Sequence, residues 1–202
     1  MKVSIEYLGH ACFVLSCSGQ RIVLDPYSDG SVPGCGDLRL EAEAVYCSHG
    51  HGDHNAVSCV TLTGEYTPCF TLTEILTDHD DVGGSKRGKN VIRVFDFDGV
   101  RVAHFGDLGR PLTEDEKAQL CSLDCALIPV GGFFTIDAAA AAEIVSDLKP
   151  ALVIPMHYRT DASGYDVIAH LRDALPVLQN TGADVLSLAC GECVTVGKGG
   201  RV

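Results

Sequence analysis

The sequence predicts a mixed α/β (α+β) fold in which two β-sheets pack face to face with helices outside them. Three observations lead there. Strand-like runs come first, helices and strands alternate after Thr113, and 46% of the 202 residues are hydrophobic, enough to bury a substantial core. No linker, low-complexity stretch or repeat interrupts the chain, so residues 1–202 read as a single domain.

The first strands are Val3–Tyr7, Ala11–Ser16 and Arg21–Leu24, parted by Gly9 and by Ser18-Gly19, an antiparallel meander that stops at Asp25-Pro26. Ala44–Ser48 is short and apolar and reads as a buried strand. Thr71–Leu76 fits either a further strand or a short helix, and residues 83–90, glycine-rich and basic, form a loop. The β pattern returns in Val91–Phe97 and Val100–Phe105, joined by the turn dipeptide Asp98-Gly99. Thr113 and Glu116 then have capping-box spacing and open a helix through Leu120. Strand Ala126–Val130 follows, and Asp137 caps an alanine-rich helix over 138–148 that stops before Pro150. Leu152–Ile154 reads as a buried strand delivering Met156-His157. A helix over 163–174 and two short strands, Val185–Leu188 and Cys193–Val196, complete the order.

The densest chemistry lies in His49-Gly50-His51-Gly52-Asp53-His54, where four metal-ligand side chains fall within six residues. The loop follows a predicted strand, the place where α/β proteins carry function. In an extended stretch His49 and His51 point the same way, whereas Asp53 and His54, at the entry to a predicted helix, aim elsewhere. One loop is therefore expected to serve two adjacent metals.

Composition narrows the partners. A formal net charge of −12 argues against a broad nucleic-acid or anionic-membrane surface, both of which need clustered Lys and Arg. A small-molecule substrate is expected, with self-association left open. Cys12, Cys17, Cys47, Cys125 and Cys190 sit in apolar or strand-like runs and read as core thiols, and Cys190-Gly191-Glu192-Cys193 has no companion CxxC. With neither a signal-peptide pattern nor a run approaching a membrane span, the expectation is a reducing cytoplasm.

Downstream of the loop, candidate ligands occur singly: His79, then Asp107 in Gly106-Asp107-Leu108-Gly109, then His157 in Pro155-Met156-His157-Tyr158. A lone histidine such as His79 or His157 is more often structural than a ligand; alongside the first cluster the balance reverses and they make a set. This set, His-x-His-x-Asp-His followed by a single His, a Gly-Asp and a late His, resembles the metallo-β-lactamase superfamily. Leu8-Gly9-His10-Ala11, Leu24-Asp25-Pro26 and Pro129-Val130-Gly131-Gly132 are further similar to its compact metal-dependent hydrolases related to L-ascorbate-6-phosphate lactonase.

The resemblance implies a four-layer αββα sandwich with a cleft at the edge shared by the sheets. It implies that His49, His51 and His79 hold one divalent ion, that Asp53, His54 and His157 hold another, and that Asp107 bridges them. Zinc suits the three imidazoles, and the carboxylate-bearing site also admits manganese or iron. The implied activity is hydrolysis of a small anionic substrate, a lactone or phosphate ester, by a hydroxide held between the ions, with Asp53 accepting its proton. The alternatives are an iron-dependent redox enzyme, a phosphodiesterase or nuclease-like member, or a sensing module on a decayed site. His49-Gly50-His51 differs from the His-x-Glu of diiron electron-transfer relatives, and the complete ligand set counts against decay.

Other residues carry secondary expectations. Asp25 is expected to orient a ligand histidine, and His104 to be structural or to support a ligand. His10 and Tyr158 are candidate proton donors, each equally readable as packed core. Gly131-Gly132-Phe133-Phe134-Thr135 is expected to line the cleft, with Gly132 and Phe133 at the substrate. Lys86, Arg87 and Lys89 are either solvated surface or, Arg87 above all, a grip on an anionic group.

Overall fold

The computed structural model describes residues 1–202. The expected meander forms as β1 (Val3–Gly9), β2 (Cys12–Cys17) and β3 (Gln20–Leu24), antiparallel, with Ile5 opposite Leu15 and Leu15 opposite Ile22. Between β3 and the metal loop lie β4 (Leu40–Ala42) and β5 (Ala44–Tyr46); β5 runs parallel to β3. A 3-10 turn (Val57–Cys59) precedes β6 (Val60–Leu62), which pairs with β4 in a small two-stranded sheet. No α-helix follows His54: that part of the expectation is corrected, because His54 closes a turn on His51 (N to O 3.0 Å) and the only helical piece before β6 is the short 3-10 turn at Val57–Cys59.

The second sheet begins with β7 (Thr71–Asp78) and β8 (Lys89–Phe97), an antiparallel pair, so Thr71–Leu76 is strand rather than helix. β9 (Val100–His104) turns back across Asp98-Gly99, and β10 (Cys125–Pro129) and β11 (Val153–Met156) continue parallel to it. At the C-terminus β12 (Cys193–Gly197) and β13 (Gly200–Arg201) complete the first sheet beside β1. The order is β13-β12-β1-β2-β3-β5 in one sheet and β11-β10-β9-β8-β7 in the other.

Side-chain alternation on β2 explains the layering. Phe13 and Leu15 point into the core between the sheets with Ile22, Leu24, Phe95, Phe97 and Leu127, while Cys12 and Val14 point the other way, toward Val23, Tyr27, Val32, Leu38 and Val60. A strand buried on both faces must be apolar, as Cys12–Leu15 are. The helices all come from the second half: α1 (Glu114–Gln119), α2 (Ala138–Leu148) and α3 (Leu171–Gln179). Outside the first sheet, the fourth layer is therefore built from residues 27–62, coil and the small sheet, rather than from α-helix.

Local signals account for the helix starts. Thr113 accepts from the Glu116 amide and Glu116 reaches back to the Thr113 amide, the full capping box, and Asp137 Oδ1 accepts from Ala140 N at 2.9 Å. The predicted helix over 163–174 is a correction. Gly164 takes φ +99° against Arg159, where an added Cβ would lie 2.6 Å from the Arg159 Cα, so residues 159–170 form a loop and α3 begins only after His170. His170 caps it, Nδ1 accepting from Arg172 N at 3.1 Å. Val185–Leu188 is likewise no strand: it makes only a bridge from Val185 to Val153.

The topology collects chain ends. β9, β10 and β11 are parallel, β7 ends beside the start of β8, and β3 and β5 are parallel, so Asp25, the 49–54 loop, His79, Asp107 and His157 all emerge from strand C-termini at one edge. No helix is long and apolar enough to cross a membrane, and all ten cysteines are free thiols.

Candidate metal centre

Two groups of side chains meet at that edge. His49, His51 and His79 bring ligand atoms within 4.8 Å of one another, and so do Asp53, His54 and His157, with His10 added. Asp107 stands between the groups. Its Oδ2 lies 3.2 Å from His79 Nε2 and 3.2 Å from His157 Nε2, and its Oδ1 lies 3.2 Å from His54 Nε2. Buried polar atoms are almost always hydrogen-bonded, yet His49 Nε2, His54 Nε2, His157 Nε2 and Asp107 Oδ1 are buried without a hydrogen-bond partner. Facing imidazole lone pairs and a carboxylate fit divalent cations, and the donor set suits zinc, manganese or iron.

Backbone strain places three of these residues. His10, Asp25 and His157 have φ of +56°, +43° and +54°, a region that non-glycine residues enter at a cost and that clusters at functional sites. Close packing locks the turns: a Cβ on Gly131 would lie 2.1 Å from the His157 carbonyl oxygen, and one on Gly106 would lie 2.3 Å from Asn90 Oδ1. Asn90 Oδ1 in turn accepts from the Asp107 amide at 2.8 Å.

Asp25 lies behind the ligands. Its Oδ2 accepts from His54 Nδ1 at 2.8 Å and from the Ser48 hydroxyl, while Oδ1 accepts from Ser48 N at 2.6 Å. With its proton given to Asp25, Ser48 Oγ accepts from His49 Nδ1 at 2.9 Å. One carboxylate thus sets the tautomer of a histidine in each group, leaving both Nε2 lone pairs for the cleft. With no cation bound, burial would lower the His54 pKa but the Asp107 and Asp25 carboxylates hold it well above its ordinary value, so a cation taken up at Nε2 would displace a proton from it.

His10 reaches the site. Its ring lies 4.0 Å from the His157 ring, and Nε2 donates to Asp53 Oδ2 at 3.3 Å. Burial and then His157 push its pKa down to about 3, so it stands as a neutral imidazole steadying Asp53. His104 is turned away and ties the sheets together: Nε2 donates to Ala11 O at 2.9 Å and Nδ1 accepts from Gly106 N. Tyr158 is a correction. The left-handed turn at His157 sends the next side chain to the opposite side, where the Tyr158 ring packs on Tyr7 and its hydroxyl faces Leu188 O at 3.5 Å.

The tyrosine at the site is Tyr165, whose hydroxyl lies 2.7 Å from Ser31 O and 3.2 Å from Asp53 Oδ2. It lines a cavity of about 300 Å³ with His51, Asp53, His79, Arg87, Asp107 and Phe134. Phe133 is corrected in the same way: it is 62% exposed, while its neighbour Phe134 faces the cavity, and Gly132, at φ +64°, makes the turn that presents it. Lys86 is also corrected, since it extends outward to Asp81 at 3.5 Å, and Lys89 pairs with Asp78. Only Arg87 of the basic loop enters the cavity wall.

Comparison with known proteins agrees with this geometry. Residues 4–157 match the beta-lactamase superfamily domain. The UPF0173 metal-dependent hydrolase of Thermococcus onnurineus (strain NA1) is 31% identical over 94% of this chain and 98% of its own length. The chain belongs to the UPF0173 family of the metallo-β-lactamase superfamily. A candidate Zn-dependent hydrolase of that superfamily from Thermotoga maritima is 30% identical to this UPF0173 protein, with TM-score 0.67 over 87% of this chain and 85% of that one. Igni18, a metallo hydrolase from Ignicoccus hospitalis KIN4/I, shares the fold at TM-score 0.74 and 20% identity, covering 96% and 98% of the two chains.

Sequence reasoning missed Ser48 and Tyr165. Ser48 stands directly before the histidine cluster, where a hydroxyl neighbouring a ligand could have been weighed as its hydrogen-bond partner. Tyr165 was hidden inside a predicted helix, although Ser163-Gly164 is a breaker pair that could have freed it.

Proposed function

We propose that this UPF0173 protein hydrolyses a small ester-like substrate, a lactone or a phosphate ester, with two divalent cations. The observation that carries the reading is the Asp107 carboxylate, which touches histidines of both groups while their Nε2 atoms lack hydrogen-bond partners. His49, His51 and His79 would hold one cation and Asp53, His54 and His157 the other, with Asp107 shared. Bound cations of this kind lower the pKa of coordinated water to about 7 and polarise the bond under attack.

The protein supplies the rest. Asp53 Oδ2 accepts from His10 Nε2 at 3.3 Å, beside the Tyr165 oxygen at 3.2 Å, whose own proton has Ser31 O closer at 2.7 Å, and the carboxylate so oriented is positioned to take the nucleophile's proton. The cavity volume of about 300 Å³ favours small substrates. The short motifs around His10, Asp25 and Gly131, similar to those of L-ascorbate-6-phosphate lactonase relatives, favour a lactone or another ester of a small acid.

Elemental analysis of protein reconstituted with Zn²⁺, Mn²⁺ or Fe²⁺ should give two ions per chain, falling to one in Asp107→Ala. A panel of lactones, phosphomonoesters and phosphodiesters should then reveal turnover that chelation removes. One ion in both proteins, or oxygen consumption by the ferrous form without hydrolysis of any panel member, would overturn the reading.

A further inference from the structure

Arg87 differs from the other arginines. Arg21, Arg39, Arg93, Arg101, Arg110, Arg172 and Arg201 each pair with a carboxylate, and Arg159 Nε donates to Ile168 O. The Arg87 guanidinium lies 5.5 Å over the Phe134 ring at the wall of the metal cavity. Nearby carboxylates are already engaged: Asp53 by His10, Asp107 by the candidate ligand histidines, Asp78 by Lys89 and Arg110. In a chain with 27 acidic and 15 basic residues, a guanidinium at a cavity wall with no carboxylate partner is free to take an anion from outside.

The loop is organised to hold that cation still. Asp80, buried, accepts four backbone N–H bonds: Oδ1 from Val82 and Gly84 at 2.9 and 2.8 Å, and Oδ2 from Lys86 and Arg87 at 2.9 and 2.8 Å. His79 N donates to Gly88 O at 3.0 Å, closing the loop onto a candidate metal ligand. Tyr165 meets Phe134 nearly edge-on, the ring centroids 5.8 Å apart and the planes at 68°, so the two rings make an angled aromatic wall. The wall therefore runs from a fixed cation, across two aromatic rings, to Asp53.

We infer that Arg87 anchors an oxyanion of the substrate, so that the molecule hydrolysed carries a carboxylate or phosphate joined to its scissile group by a short apolar segment passing along the wall made by Phe134 and Tyr165. The inference deepens the hydrolase reading and rests on it for the scissile end. Guanidinium geometry suits planar, two-oxygen recognition, and an ion pair of this kind is formed alike in the bound substrate and the transition state.

The test uses metal-loaded protein as wild type, Arg87→Met and Arg87→Lys, with benzoate, phenylphosphonate and neutral benzamide as probes in titration calorimetry. Wild type should bind the anions, and Arg87→Met should weaken them about tenfold or more, the scale of a charge-assisted hydrogen-bonded pair, with benzamide unchanged and Arg87→Lys intermediate. The anion losing more affinity identifies the preferred group. In kinetics, KM for 4-carboxyphenyl acetate should rise in Arg87→Met while KM for phenyl acetate holds. Equal anion affinity in wild type and Arg87→Met, with metal content and the Asp80-bound amide signals intact, overturns the inference. Because calorimetry needs no turnover, Arg87-dependent binding without any hydrolysis would sink the proposed activity and leave the oxyanion site standing.

Discussion

Asp25 Oδ2 accepts a hydrogen bond from His54 Nδ1 at 2.8 Å, and through Ser48 the same carboxylate also governs His49. Neither end of this relay faces the cavity, yet it decides which nitrogen each imidazole offers. Histidines of both candidate ligand groups thus depend on one buried acid.

Asp25→Asn is therefore expected to weaken metal binding in both groups together, by about 10–100-fold, the usual cost of removing a partner behind a ligand. Ser48→Ala should affect mainly the group containing His49. Chelator competition on the reconstituted proteins reads both, and loss from one group alone in Asp25→Asn would contradict the relay.

Asp53→Asn should keep the fold and slow hydrolysis by about 10²–10⁴-fold, the range for losing a general base. The Tyr165 hydroxyl lies nearer Ser31 O (2.7 Å) than Asp53 Oδ2 (3.2 Å), so Tyr165→Phe, which leaves the His10 bond in place, is expected to cost less, mostly in kcat. Steady-state kinetics with metal content measured in parallel distinguishes these. An Asp53→Asn variant with full activity would remove the carboxylate from the chemistry.

The Arg87 loop carries a pH dependence. Burial would raise the Asp80 pKa, but the backbone N–H groups of Arg87, Val82, Gly84 and Lys86 outweigh it and hold the carboxyl below its ordinary value. A depressed carboxylate contributes stability that is present above its unfolded value of about 3.9 and is lost as pH falls toward the folded value. Amide exchange at Val82, Gly84, Lys86 and Arg87 should then stay protected at neutral pH and lose protection, relative to β8 and β9, in the acid range below about pH 4. Asp80→Asn should show the loss already at pH 7.

Stability should follow the inter-sheet core. Phe13 is fully buried between the sheets, and Phe13→Ala is expected to cost about 3–5 kcal/mol, whereas 62% exposed Phe133→Ala should change little. Denaturant unfolding of the two variants checks this. Comparable losses would mean that Phe133 packs against something in solution.

What the sequence revealed was written locally. Alternation exposed the meander, Thr113 and Asp137 marked helix starts through caps they make with their own next turn, and the histidine cluster showed itself by crowding. What stayed hidden depends on contacts between distant segments. Tyr158 and Tyr165 look alike in the sequence, and only the left-handed turn at His157 and the packing of Gly164 against Arg159 decide which hydroxyl reaches Asp53. Lys86 and Arg87 likewise part company because Asp80 fixes their backbones and Asp81 draws the lysine outward. The coil layer over the first sheet escaped prediction because no regular period marks residues 27–62.

The hydrogen bond from His157 N to His10 O, at 2.8 Å, joins the tip of the first hairpin to the turn after β11, in the second sheet and most of the chain away in sequence. Loop closures of that span form late, since their entropy cost is met only after local pairing is in place. Cation capture at this edge should consequently report on the last docking event rather than on hairpin formation. During refolding, metal uptake would lag behind the appearance of β structure, and a chelator added early would leave assembled sheets whose mutual seating stays labile.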